Sequence, residues 1–169
     1  YDSTFYNKGE FYNSYFSAEP RLNVTFMLDS ISSLKASYSR TTQYVHLAQN
    51  STAGTPLDIW FSSSPNVCPQ LCDQLAFGYF RNFLDDRIES SIEIYYKKIN
   101  HAIDFKDHAN LLLNKYLEGE LRFGEAEAMG MELLVRKNEG RLNGWISYTL
   151  SKTIREMDEI NHGKPYPAP

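Results

Sequence analysis

The sequence predicts an all-β chain, an antiparallel up-and-down sheet of about six strands, and three observations carry that prediction. Residues 140–153, GRLNGWISYTLSKT, alternate Leu142, Gly144, Ile146, Tyr148 and Leu150 with Asn143, Trp145, Ser147, Thr149 and Ser151. A period of two is that of a strand whose successive side chains point to opposite faces. Tyr 12, Phe 10 and Trp 2 make aromatic residues 14% of the chain, and such side chains suit a pleated, half-buried surface. The links between alternating segments are, by turns, short and long.

Composition narrows the class. A chain of 169 residues suffices for one domain with a single core and leaves little for a second. The formal net charge of -4 and pI near 5.6 supply no broad positive field, so nucleic acid is not an expected partner. Mean hydropathy is -0.47, and no apolar run approaches the roughly 20 residues of a spanning helix. A transmembrane barrel strand needs only about 9 to 11 residues with one greasy face, so hydropathy does not exclude that class. The opening Tyr1-Asp2-Ser3 is neither an initiator Met nor a signal peptide, and the chain is expected to be cut from a longer one. The closing GKPYPAP reads as turn and extended coil.

The elements follow in order. In PRLNVTFML, residues 20–28, Leu22, Val24, Phe26 and Leu28 oppose Arg21, Asn23, Thr25 and Met27. After the turn-like DSISS, Leu34, Ala36 and Tyr38 oppose Lys35, Ser37 and Ser39, which completes a hairpin. Residues 41–69 lose periodicity and collect Gly54, Pro56, Pro65 and Pro69, as a long loop does. In DQLAFGYFRNF, Leu75, Phe77, Tyr79 and Phe83 share a row with Arg81 near its end, against Gln74, Ala76, Gly78, Phe80 and Asn82. LDDR is a tight turn. Ile88, Ile92, Ile94 and Tyr96 then oppose Glu89, Ser91, Glu93, Tyr95 and Lys97, after which Ile99, Ile103 and Phe105 take the other parity, as at a bulge or on leaving the buried zone. Residues 106–125 suit a short amphipathic helix and irregular strand or loop alike, and are read as loop. Met129, Met131, Leu133 and Val135 oppose Ala128, Gly130, Glu132, Leu134 and Arg136, and the turn NEG leads into the last strand.

Links after the first, third and fifth strands are a few residues, while those after the second and fourth reach about twenty or more, beyond the usual loop length. In an up-and-down sheet all short turns then lie at one end and all long loops at the other, with residues 1–19 and 152–169 on the long-loop side. Outer-membrane barrels share that asymmetry. On this expectation the chain is a partial transmembrane β-barrel. The row of Leu142, Ile146, Tyr148 and Leu150 faces lipid, and Asn143, Ser147, Thr149 and Ser151 face a watery lumen. Lys35, Glu89, Glu93, Glu132 and Arg136 all sit on polar rows; on the lipid face near the midplane a charge costs about 2 to 4 kcal/mol. A soluble β-sandwich alternates in the same way over a core, and remains the alternative.

The segments EPRLNVTF, SSLKASYSRTTQYVHL, QLAFGYFRNF, SSIEIYYKKINHAIDFKD, AMGMELLVRKNEGRLNGWISYTLSKT and INHGKPYPA together resemble the β-barrel of TonB-dependent outer-membrane receptors. The resemblance covers nearly the whole chain in order; GMELLVRK with GWISYTLSKT and the Gly-Lys-x-Tyr-Pro ending is its most specific part. It implies a single segment, 1–169, of a barrel of about 22 strands, without the plug domain, the energy-coupling segment and the terminal strands. It also implies a parent in the Gram-negative outer membrane that takes up a scarce ligand, such as a metal chelate, haem, cobalamin or oligomeric nutrient. The partners so implied are the TonB complex, that ligand and outer-membrane lipid.

Side-chain chemistry adds little to this. Cys68 and Cys72 fall at the end of the long loop or the start of a strand; a local disulfide, which needs Cα atoms within about 7 Å, free thiols and a metal site are the alternatives. His101, Asp104, Asp107 and His108 read as solvated loop residues without a convergent ligand spacing. REMDE, residues 155–159, also reads as solvated loop. No nucleophile elbow, phosphate loop or dinucleotide fingerprint is present; neither catalysis nor a cofactor is expected, with an integral barrel enzyme as a rival reading. Ligand contacts, if the chain serves transport, should come from the long loops and lumen mouth. Arg40, Tyr44, His46, Trp60 and Arg122 are the candidates, as aromatic and cationic groups suit chelates and planar ligands.

Overall fold

The computed structural model describes residues 7, 9–48, 59–106, 109, 114 and 116–168. Strands β1 (Arg21–Met27), β2 (Ser32–Gln43), β5 (Gln70–Phe83), β6 (Ile88–Phe105), β7 (Leu121–Lys137) and β8 (Gly144–Met157) lie side by side in the order β1-β2-β5-β6-β7-β8, each antiparallel to its neighbour. These are the six expected strands. A two-residue strand β9 (Tyr166–Pro167) pairs with β8 at Ile154 and Arg155 and makes the sheet seven-stranded. The described residues form no closed barrel and no α-helix.

Short links do occupy one end of the sheet, at residues 28–31, 84–87 and 138–143, and long ones the other, at 44–69 and 106–120. Each short turn has its own chemistry. Asp29 Oδ1 accepts the Ile31 amide at 2.9 Å, and hydrogen bonds from Ser32 and that amide hold the Asp29 carboxyl below the usual carboxylate range. Leu84, Asp85 and Asp86 all have positive φ, the hand that lets a two-residue turn follow the strands' twist, and Asn82 Nδ2 donates to Asp86 Oδ1 at 2.8 Å.

Element bounds depart from expectation at the long-loop end. The segment 41–69 is not all loop: β2 runs on to Gln43, and β3 (Val45–Ala48) pairs with β4 (Ile59–Ser62) in a separate two-stranded ribbon. β6 reaches Phe105, and β7 begins at Leu121 after a short 3-10 turn at Leu117–Glu120, so the second long link is shorter than expected. Residues 155–157 of the presumed REMDE loop are the end of β8, where Met157 is fully buried. The GKPYPAP coil contributes β9. At the other end β8 starts at Gly144, so Leu142 and Asn143 belong to the turn.

The change of parity in β6 has two parts. Ile99 stands on the polar-row face, packed with Ala102, Ala126 and Met157. A bulge between Asn100 and Ala102, with His101 at φ 55, then returns Ile103 and Phe105 to the row of Tyr96. An extra residue in one strand shifts its parity by one, and histidine is among the side chains that tolerate a left-handed φ.

Packing is confined to the same upper end. Ala102, Ala126 and Met157 cluster with Ile99, Ile160 and Tyr166, and Ala109 with Phe61, Phe105 and Leu117. A Cβ on Gly124 would fall on the Glu156 carbonyl and 2.8 Å from Met157 Cα, whereas one on Gly78 would meet side chains, the Phe80 ring at 2.7 Å and Glu93 Cγ at 2.9 Å. Gly124→Ala is therefore expected to lower the denaturant-unfolding free energy of the refolded protein by about 1 to 3 kcal/mol, the usual cost of overpacking, and Gly78→Ala by clearly less. Equal losses would show that backbone contact at β7–β8 is not what excludes a side chain.

Candidate functional site

The registers carry the rows straight across the sheet. Val24, Ala36, Phe77, Ile94, Met131 and Leu150 form one line through six strands, and Phe26, Leu34, Tyr79, Ile92, Leu133 and Tyr148 the next. This face is open: Phe26 is 64% exposed, Ile94 52% and Ile146 78%. Among the described residues no second layer covers it. A shallow apolar depression of about 410 Å³ surrounds Ala36, lined by Leu22, Val24, Leu75, Phe77 and Ile94.

Toward the long loops a charged row interrupts the apolar face. Arg40, Asp73, Lys98 and Glu127 stand side by side on β2, β5, β6 and β7 with alternating sign. Opposite charges on facing strands attract, whereas like charges repel. Arg40 donates from Nε and Nη2 to the two Asp73 oxygens at 2.8 and 3.0 Å, a bidentate fork suited to a carboxylate, and Lys98 Nζ lies 2.9 Å from Glu125. Just beneath, the Tyr38 hydroxyl donates to Asp73 at 2.6 Å and the Tyr96 hydroxyl bonds Glu127, so each ring lies on the apolar side with its oxygen in the charged row. Eight residue steps separate Asp73 from Arg81, which faces Ser32 and Ser90 at the short-turn end, about 27 Å of extended chain.

The opposite face is polar. Thr25, Lys35, Gly78, Glu93, Glu132 and Thr149 form its central line. Lys35 Nζ sits 4.0 Å above the Phe80 ring, in the space that Gly78 leaves. Glu93 and Glu132 are directly paired across β6 and β7; two carboxylates so placed repel unless water or a cation screens them. Glu89 accepts from Asn138 Nδ2 at 2.6 Å.

The ligand-contact candidates separate into two groups. His46 and Trp60 lie on the ribbon β3–β4, where His46 pairs with Phe61 and Leu47 with Trp60, so their side chains take opposite faces; Tyr44 stands just ahead of β3, its carbonyl accepting the Ser63 amide at 2.8 Å. Trp60 is 63% exposed while His46 is only 2% exposed. Arg40 and Arg122 are instead held in the main sheet, Arg40 by Asp73 and Arg122 by Glu159 at 2.6 Å. Both guanidinium groups are already neutralised. Cys68 is an exposed free thiol ahead of β5 and Cys72 a free thiol within it. Of the expected polar loop cluster, His101 and Asp104 lie in β6, the latter bonded to Arg155 and Tyr166 at 3.1 Å each; Asp107 and His108 lie outside the described residues. Burial beside Asp104 holds the Tyr166 hydroxyl above its ordinary pKa. The alternating charge row was missed, although Arg40, Asp73, Lys98 and Glu127 share the parity of the apolar rows and so are visible where those rows stop.

Among the described residues His46 has no charged partner. Its Nε2 lies 3.2 Å from Ser63 Oγ and its Nδ1 3.3 Å from Gln70 Nε2, with the Phe61 ring 5.2 Å away. With the Gln70 amide nitrogen donating to Nδ1, the ring proton sits on Nε2 and faces the hydroxyl, so His46 cannot take a proton from Ser63. Ser63 and His46 thus do not compose a nucleophile and base. No protein-family model matches this chain, and comparisons with curated proteins and solved structures gave no match.

Burial pushes the His46 pKa below its ordinary value of 6.5. The unfolded ribbon then binds the proton more readily than the folded one, so the contribution to stability is fully present above about pH 6.5 and is lost as pH falls through the folded value. Amide exchange in β3–β4, corrected for intrinsic rates, should rise between pH 7.5 and pH 5 in the native chain and stay level in His46→Gln. Both thiols should titrate without reductant, Cys68 first; a signal that appears only after reduction would establish a Cys68–Cys72 bridge.

Proposed function

We propose that this chain is part of the wall of an outer-membrane β-barrel, and that the barrel belongs to an active transporter of the TonB-dependent kind. The observation that carries the first part is the single-layered sheet with an exposed apolar face, whose rows stay in register over six strands between Arg81 and a charged row. A sheet with water on both sides would leave Val24, Phe77, Ile94 and Leu150 hydrated, at roughly 25 cal/mol for each Å² of apolar surface that could otherwise be covered. Hydrocarbon covers them without a second protein layer. Nine residues from Asp73 to Arg81 match the strand length that crosses a bilayer, about 9 to 11. No helix of the described residues is long and apolar enough to cross a membrane.

The second part rests on the resemblance of the six quoted segments, on their order, and on the long links all lying at one end. In this reading the long-loop end is extracellular, the polar face with Glu93, Glu132 and Lys35 lines the lumen, and the ribbon bearing Trp60 meets the ligand. Uptake of a scarce nutrient belongs to the whole barrel, through TonB. The chain itself carries out no reaction in this reading.

Substituting one face at a time tests the lipid contact. Ile94→Lys, at mid-height on the apolar face, should lower the folding free energy in phosphatidylcholine vesicles by about 2 to 4 kcal/mol, while Thr149→Lys on the polar face should leave it nearly unchanged. A stable monomer in dilute buffer without detergent, with Ile94→Lys folding as well as the native chain, would end the membrane assignment.

A further inference from the structure

Cations on the apolar face fall into two kinds. Arg40 and Lys98, at the long-loop boundary, each have a carboxylate within 3 Å. Lys137 and Lys152, on flexible stems, can reach water. Arg81 is different. It stands at the short-turn boundary between Tyr79 and Phe83, with Nη1 3.4 Å from the Tyr79 hydroxyl and its guanidinium 5.2 Å from the Phe83 ring centre. Its Nε is buried and without a hydrogen-bond partner, and no carboxylate lies within the ion-pair distances of the described residues. Asp29, whose charge Arg81 influences, is held by Ser32 and the Ile31 amide instead.

We propose that Arg81 binds the phosphodiester of a membrane phospholipid in the leaflet at the short-turn end of the sheet. This inference rests on the barrel-wall reading above. A guanidinium at the edge of hydrocarbon keeps its charge and needs an anion that presents oxygens to its planar fork; protein carboxylates meet this need at the opposite boundary, and among the described residues none pairs with Arg81 here. A phospholipid phosphate sits at the height where the acyl region ends, which is where Arg81 ends the apolar row. The hydroxyl of Tyr79 is placed to share the same oxygens, and the Phe83 ring presses the guanidinium from the other side.

The chain refolded in dodecylmaltoside and examined by native mass spectrometry, with dioleoylphosphatidylglycerol or dioleoylglycerol added, separates the possibilities. The two lipids have the same acyl chains, and only the first has a phosphate. The native chain should retain the phosphatidylglycerol at least fivefold more than the diacylglycerol. Arg81→Gln should abolish that preference, Arg81→Lys should keep part of it as a point charge without the fork, and Lys98→Gln should leave it unchanged. Equal retention of both lipids, or a preference unaltered in Arg81→Gln, would overturn the phosphate site while leaving the barrel wall standing. A chain that is monomeric without detergent and takes up neither lipid would overturn both.

Discussion

Everything in this molecule depends on strand register. The apolar rows form a continuous face only because β1, β2, β5, β6, β7 and β8 pair without a slip over the region between Arg81 and Asp73; a shift of one residue in any strand would send its apolar set to the polar side. Three tight connections enforce that register for β1 with β2, β5 with β6 and β7 with β8. The links 28–31, 84–87 and 138–143 leave little freedom, and the Asp29 and Asp86 hydrogen bonds fix two of them. The bulge at His101 lies above the charged row, outside the apolar lines between Arg81 and Asp73.

This division of labour explains what the sequence made legible. Parity along a strand is a local property, and so Leu75, Phe77 and Tyr79 could be assigned to one face and Gly78 and Phe80 to the other without knowing any partner. Strand ends were harder, because beyond Asp73 or Lys98 the alternation gives way to charged and small residues. The start of β7, LRFGEAEA, and the end of β8, TIREM, pair as strands although neither alternates cleanly; their neighbours supply the hydrogen bonds and Met157 and Ala126 the packing. The ribbon β3–β4 joins four-residue strands across a Pro- and Gly-bearing segment, too short for periodicity to register.

The site candidates followed the same rule. His46 and Trp60 lie in one ribbon with Tyr44 just ahead of it, a neighbourhood the composition of the loop made legible, but the pairing sends Trp60 to the face opposite His46, which composition did not show. Arg40 and Arg122 were chosen for their charge, but a charge's availability is decided by a partner on another element. Asp73 lies 33 residues from Arg40, and Glu159 is on the far side of β8 from Arg122. No single-strand pattern exposes such pairs. Once strands are aligned they become readable, since Arg40, Asp73, Lys98 and Glu127 occupy consecutive positions of one row.

The two faces place opposite demands on their surroundings, and a single medium does not meet both. Glu93 against Glu132 needs high dielectric or mobile cations, because like charges on directly facing residues repel. Ile94 and Met131, the next positions along the same strands, point the other way into a face with no charge between Tyr96 and Ile92 on β6. A soluble sandwich would meet these demands with a second sheet over the apolar rows, and the described strands are already committed to one layer and one small ribbon. In the barrel wall proposed above, lipid on one side and a water-filled lumen on the other meet them. The charged row supports the same choice: alternating signs neutralise one another along β2, β5, β6 and β7, which suits a level where the dielectric changes and a lone charge is costly.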